Sequence, residues 1–242
     1  MAEGLNPTQE QWQVQILNQL GKVTHYLDWQ HSLLGPHLGK NILEMGCGIG
    51  LITQFLLRKE DALISAVDYS PVSLSQLLQQ LAPPSRLRLI RGDLEDPDLW
   101  LRLSAPFDTV IAVSLLEHLE DDALLLQRLA PCLASGGQVL LIVPAHPWLY
   151  GSIDVLACHR RRYDKKRIAA LFRQSGLEPL ELTYFNLPGA LAWWYRFVVR
   201  KQSDFSAQEL GWFNRLIPVI RRLESWLPMP CGLSQFARAR KP

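Results

Sequence analysis

Residues 41–50, NILEMGCGIG, set Gly46, Gly48 and Gly50 at alternate positions behind an apolar run that carries one acid, Glu44. A strand ending in glycines lets the chain turn tightly and lets a ligand approach the main chain before the next helix, LITQFLLR, begins. The spacing does not suit a dinucleotide pyrophosphate, because the position that G-x-G-x-x-G needs as glycine is Leu51. Glu44 would repel phosphate as well, whereas it can order a glycine turn and help to hold the cationic amine of an amino-acid tail. Downstream, Asp68 closes a second apolar run, ISAVDYS, where a carboxylate accepts both hydrogen bonds of a ribose diol and Tyr69 stacks on an adenine. Asp93, in IRGDLED, is placed to accept from an adenine amino group, with Leu94 as the apolar edge. The plainer alternative is that the glycines serve only the turn.

In this order, ILEMGCGIG, VDYS, GDLED, VSLLEHLEDD and LASGGQVLLIVP resemble the motifs of the class I S-adenosylmethionine-dependent methyltransferases, over roughly residues 20–185. The resemblance implies an α/β, Rossmann-like seven-stranded sheet of order 3-2-1-4-5-7-6 with strand 7 antiparallel, helices on both faces and a helical insert before the last strand. It implies S-adenosylmethionine as cofactor and S-adenosylhomocysteine as product. Carried over residue by residue, Glu44, Gly46, Cys47, Gly48 and Gly50 hold the methionine portion, Asp68 the ribose, and Tyr69, Asp93 and Leu94 the adenine, while Ser114, Leu115 and His118 flank the sulfonium. A helix in 23–39 would close over the cofactor, so Tyr26 and Trp29 either touch the ligand or pack in the core. Within the class, the chain resembles a bacterial small-molecule subgroup (methyltransferase 11/12-like) with a P-A-H-P-x-L-Y-G-x-x-D start and an H-x-R-R-Y finish in the loop after strand 5.

Ligands of open α/β sheets gather outside the carboxyl ends of the strands, so SLLEHLEDD and PAHPWLYGSIDVLACHRRRYDKK are expected to face the methyl group. A neutral amine needs no strong base, but an oxygen, carbon acid or indole nitrogen gains from one, and histidine has the most suitable pKa. His118 and His146 are the candidates, each with a structural alternative: helix capping or packing for His118, loop shaping for His146. Candidate acceptor contacts are His146, Tyr150, His159, Tyr163, Trp193 and Trp194, with Tyr163 alternatively a packing anchor. Arg160, Arg161 and Arg162 read either as a phosphate site or as partners of Asp154 or Asp164 that hold the loop. The aromatic stretch 186–230 reads as a lid over a hydrophobic acceptor, as an interfacial helix making peripheral membrane contact, or as ordinary packing on the sheet or at a dimer interface.

Five apolar runs, at 41–45, 63–67, 87–90, 109–113 and 139–143, alternate with helix-length segments, which predicts a parallel sheet covered on both faces. Ser70–Pro71, Asp121 and Asp164 mark helix starts, and Gly176 a helix stop. Strands are also expected at 180–185 and 234–239. With 242 residues, one domain is the expectation: an N-terminal helical cap (1–40), a cofactor core (41–185), the insert (186–230) and the final strand (231–242). A net charge of +2 and SLLE in place of an N-P-P-Y-type motif argue against nucleic acid. Cys47, Cys132, Cys158 and Cys231 lack CxxC spacing, so free thiols, a cytoplasmic location and no metal are expected. The N-terminal residues lack the pattern of a secretory signal. The expected function is methyl transfer to a small or medium hydrophobic acceptor, a secondary metabolite or lipid-like molecule, at nitrogen or oxygen. The alternative is a cofactor-binding, non-catalytic partner or membrane-docking protein.

Overall fold

Aliphatic and β-branched runs bounded by turn residues build a sheet, and capped amphipathic segments cover its faces. The computed structural model describes residues 7–103, 106–204, 206–226 and 229–242. Positions 1–6 of the expected N-terminal cap and 205, 227 and 228 of the expected insert lie outside the described residues. The chain runs through α1 (Pro7–Gly21), α2 (Thr24–Leu34), β1 (Asn41–Met45), α3 (Leu51–Leu56), β2 (Leu63–Asp68), α4 (Pro71–Gln80), β3 (Leu87–Arg91) and α5 (Pro97–Leu101). It continues through β4 (Phe107–Val113), α6 (Asp122–Leu129), β5 (Leu133–Pro144), α7 (Ser152–Leu156), α8 (Lys165–Gln174), β6 (Glu178–Phe185), α9 (Leu187–Trp193), α10 (Ala207–Glu224) and β7 (Ser234–Arg240).

The seven strands form one sheet in the order β3-β2-β1-β4-β5-β7-β6. β7 runs antiparallel to both neighbours, and the remaining pairs are parallel, which is the expected topology. Side chains alternate across the central strands, so both faces are buried. Leu43, Met45, Leu141 and Val143 join one layer with α5, α6 and α8. Ile42, Leu140 and Ile142 join the other with α2, α3, α4 and α10. The expected caps are in place: Ser70, Asp121 and Asp164 accept the N–H groups of Ser73, Leu124 and Arg167.

Two elements differ from or extend the sequence reading. β5 starts at Leu133 instead of 139, because Leu133 pairs with Phe107 and a register shift lets the Gly136–Gly137 turn bulge out of the strand. α1 lies in the expected N-terminal helical cap, but its packing on α2 and α4 was not anticipated. In the aromatic stretch, α9 runs into a π-helical turn, Trp194–Val199, and α10 begins with a capping box between Ser206 and Glu209.

Candidate active site

The main chain at the end of β1 builds one half of the site. Gly46, Gly48 and Gly50 have positive φ (70°, 53° and 88°), a conformation glycine adopts without cost. The N–H groups of Gly46 and Cys47 both donate to the Val67 carbonyl, at 2.8 and 3.0 Å, so the loop is hung on β2. A Cβ at Gly46 would stand 2.9 Å from the tip of the Leu115 side chain, so the β1 and β4 loops meet in close contact here.

Asp68 ends β2 directly beside this loop. It is 8% exposed and accepts from the Gly48 N–H (2.8 Å) and the Ser70 N–H (2.9 Å), one on each oxygen. Each oxygen keeps acceptor capacity for a further donor, such as a diol hydroxyl. Burial pushes its pKa up against those hydrogen bonds. Glu44 lies below the loop, 3% exposed, and accepts from the Thr53 hydroxyl at 2.7 Å. Burial raises its pKa to about 8, so the carboxyl is largely protonated at neutral pH until a cation comes near. Asp93 is exposed and accepts from the Glu95 N–H at 2.9 Å. Leu94 is built into the core layer at 7% exposure, so adenine contact from it is confined to that remainder.

α1 lies across this edge. Leu17 approaches to within 3.1 Å of where a Cβ on Gly48 would be, Tyr69 donates to Gln13, and Ser70 donates to Glu10. Tyr69 stays 43% exposed, and burial together with Asp68, Glu10, Cys158 and Asp93 pushes its hydroxyl pKa up. The helical signal in α1 was available in the sequence as Pro7 at the first turn of a Gln-rich segment, but its contact with the glycine loop was not.

The second half is set by three strand ends. β4, β5 and β6 are each followed by a non-glycine residue with positive φ: Ser114 (49°), His146 (58°) and Asn186 (66°). Strained positions of this kind cluster at functional edges. Leu115 abuts Gly46, so the chain after Ser114 touches the cofactor half. The turn Leu116–His118 then brings His118 edge-on to His159, with ring centroids 4.9 Å apart. Burial and His159 push the His118 pKa down to about 3, which weakens it as the general base expected of it. His146 accepts from the Gly232 N–H through Nε2 at 3.4 Å and lies 4.2 Å from the Tyr184 ring. That contact and the burial that lowers its pKa both weaken His146 in its expected role as base.

The H-x-R-R-Y segment straps the β5 loop to the β4 loop. The Arg160 N–H donates to the Glu117 carbonyl at 2.7 Å and its Nε to the His118 carbonyl at 3.2 Å. Arg161 pairs with Asp122 at 3.1 Å, and Arg162 with Asp154 at 2.9 Å. These bonds use the arginines for holding the loop, and the phosphate reading gives way. Tyr163 is 0% exposed, and its hydroxyl donates to Asp122 at 2.9 Å, so it is a packing anchor and no acceptor contact. Tyr150 is exposed and donates to the His159 carbonyl at 2.6 Å. Trp193 lies under the Arg162 guanidinium, 4.6 Å from its ring centroid, and donates to the Leu149 carbonyl. Trp194 is exposed. Tyr26 hydrogen-bonds Ser234 at 2.8 Å and stacks on Phe185, while Trp29 is core at 5% exposure.

A glycine loop hung on an acid-ended β2, in a sheet of this order, is matched by comparison with known proteins. A family profile described as a methyltransferase domain covers residues 22–215. The chain belongs to this methyltransferase family. The class expected from the sequence, S-adenosylmethionine-dependent methyltransferases, is the class found. Among curated methyltransferases, it is 30% identical over 113 residues to a ubiquinone biosynthesis O-methyltransferase of Xylella fastidiosa, covering 44% of this chain and 42% of that protein. The match thus spans less than half the length of that relative. Among solved structures, the putative methyltransferase in complex with the Haloferax volcanii Trm112 activator has a TM-score of 0.65 at 16% identity, covering 99% of this chain and 100% of that one. An S-adenosylmethionine-dependent methyltransferase from Mesorhizobium loti has a TM-score of 0.60 at 17% identity, with 88% and 97% coverage. At these identities the structural likeness shows the fold.

Proposed function

We propose that the protein transfers the methyl group of S-adenosylmethionine to oxygen or nitrogen of a small or medium hydrophobic acceptor, lipid-like or a secondary metabolite, by in-line displacement. The observation that carries this reading is Asp68, a buried carboxylate clamped to the glycine loop with acceptor capacity left for a ribose diol. The residues fit such a cofactor chemically, since Glu44 offers a latent negative charge to its amine from below the loop. When bound, the cofactor supplies a methyl group on a positively charged sulfur that leaves as a neutral thioether. The protein aligns the two reactants and excludes water. Gly46 and Leu115 bring the two loops together, and the arginine strap keeps the β5 loop against the β4 turn. The name of the Xylella fastidiosa relative, an O-methyltransferase of ubiquinone biosynthesis, supports oxygen on a hydrophobic acceptor. The test is calorimetric titration with S-adenosylmethionine: replacing Asp68 with Ala should cost about 1 to 3 kcal/mol of affinity. Unchanged affinity would sink the assignment, and cofactor binding with no transfer to any hydroxylated or amino acceptor would favour a non-catalytic partner.

A second reading, docking on an anionic lipid surface, draws support from α10. Trp212, Leu216, Val219, Leu223 and Trp226 are exposed and recur at helical spacing, and Arg215, Arg221 and Arg222 lie among them. No helix among the described residues is long and apolar enough to cross a membrane. Cosedimentation with phosphatidylglycerol vesicles should fall at least about tenfold when Leu216 and Leu223 become Asp. Equal binding by the variant would discard this reading.

A further inference from the structure

The strap between the two loops leaves one group of side chains unexplained. Glu117 and His118, in the turn after β4, and His159, in the loop after α7, present donor atoms that all lie within 4.8 Å of one another. Glu117 is 0% exposed, and neither of its carboxylate oxygens has a hydrogen-bond partner. A buried charge without a partner is costly, and proteins keep one where it is neutralised or where it binds a cation. Its neighbours are prepared for the second case. Asp154 holds Nδ1 of His159 at 2.8 Å, which fixes the ring with Nε2 facing Glu117 Oε1 at 4.0 Å. A carboxylate behind an imidazole, orienting its far nitrogen, is the usual support of a metal-bound histidine. His118 stands edge-on to the His159 ring. Arg162, at 2.9 Å, accounts for the charge of Asp154, so Glu117 remains the carboxylate without a hydrogen-bonded counterpart.

We propose that Glu117, His118 and His159 bind a divalent transition-metal cation, of the zinc, iron and cobalt class, with its open coordination positions turned toward the methyl acceptor. Two imidazoles and one carboxylate favour these ions over magnesium or calcium, which prefer oxygen donors. Donors at about 2.1 Å from a shared ion are about 3 to 4 Å apart, so a side-chain contraction of about 1 Å closes the set. Three protein ligands leave room for a hydroxyl oxygen of the acceptor; this half of the proposal rests on the methyl-transfer reading. The cation lowers the proton affinity of that hydroxyl. Its proton goes to solvent, the oxygen forms the new bond to the methyl carbon, and the breaking carbon–sulfur bond leaves its electron pair on sulfur, giving a methyl ether and a neutral sulfide.

The test is to treat the full-length protein with chelator and titrate it with Co2+, following visible absorption and heat. One Co2+ per chain with ligand-field bands is expected. His159→Ala should weaken binding by about 100-fold or more, with S-adenosylhomocysteine affinity unchanged. Glu117→Gln, which keeps the side-chain size and removes the buried charge, should show the same loss of Co2+ with no drop in melting temperature. Co2+ binding in the wild type no tighter than in His159→Ala, or without a spectral change, overturns the site. If Co2+ binds but chelator leaves transfer to hydroxylated acceptors unchanged, the acceptor half falls and the metal site stands. Co2+ binding with no S-adenosylhomocysteine binding would instead count against the methyl-transfer reading.

Discussion

On the β1–β2 side of the site, main-chain groups do the holding: Gly46 and Cys47 donate to Val67, and Gly48 and Ser70 to Asp68, all within one strand–loop–helix–strand unit. On the β4–β5 side, side chains from distant segments hold one another, with Arg162 and His159 on Asp154 and with Tyr163, Arg161 and Arg167 on Asp122. A backbone cradle keeps its shape when one side chain changes. A lattice built on the buried carboxylates Asp122 and Asp154 does not, because each partner removed leaves a buried group less well paired. Cofactor binding and stability are therefore separable on the first side, whereas acceptor geometry and stability are coupled on the second.

The largest effect that checks this contrast is Asp154→Ala. It strips Arg162, 3% exposed, of its carboxylate and also frees the Gly151 N–H, and should cost about 3 to 5 kcal/mol in denaturant unfolding. A loss below about 1 kcal/mol would mean that the lattice is not a cooperative unit. Asp68→Ala comes next. It frees the Gly48 and Ser70 N–H groups but leaves the loop hung on Val67, so its cost should appear in cofactor affinity more than in stability, and a variant that unfolds before it loses affinity would erase the distinction.

A third effect is one of pH. Glu44 has a folded pKa of about 8 against an ordinary value of 4.5, so between these the folded state holds more protons and stability falls as pH rises. The stabilising contribution is complete below about pH 4.5 and is lost as pH climbs through about 8. Glu44→Gln removes this slope, so its melting temperature should gain on the wild type near pH 9 and little near pH 5. Glu117, raised to about 7 by burial, acts in the same direction, so the slope should shrink without vanishing. A variant that tracks the wild type at both pH values would show that the Glu44 carboxyl is not held protonated.

Legibility in the sequence follows the same division. The strand runs, the Ser70, Asp121 and Asp164 caps and the glycine loop are local, since hydrophobic period, capping chemistry and turn conformation depend on neighbouring residues. The triple arginine could be read two ways because nothing local says that Arg161 meets Asp122 and Arg162 meets Asp154. Tyr163 looked like an acceptor contact because it stands among polar residues, and it proves buried because the strap turns its ring into the core layer. The contacts of α1, within the expected N-terminal cap, were not legible, since its weak amphipathic pattern becomes meaningful only against Tyr69, Ser70 and Gly48.

By itself the sequence determined the α/β architecture, the order of its elements and the acid-and-glycine signature of the cofactor half, because each depends on residues within a few positions of one another. Only the tertiary structure decided what the histidines are. His146 is engaged by Gly232, and His118 and His159 meet beside a buried Glu117, because a buried side chain takes its chemistry from the segments folded around it and not from its neighbours along the chain.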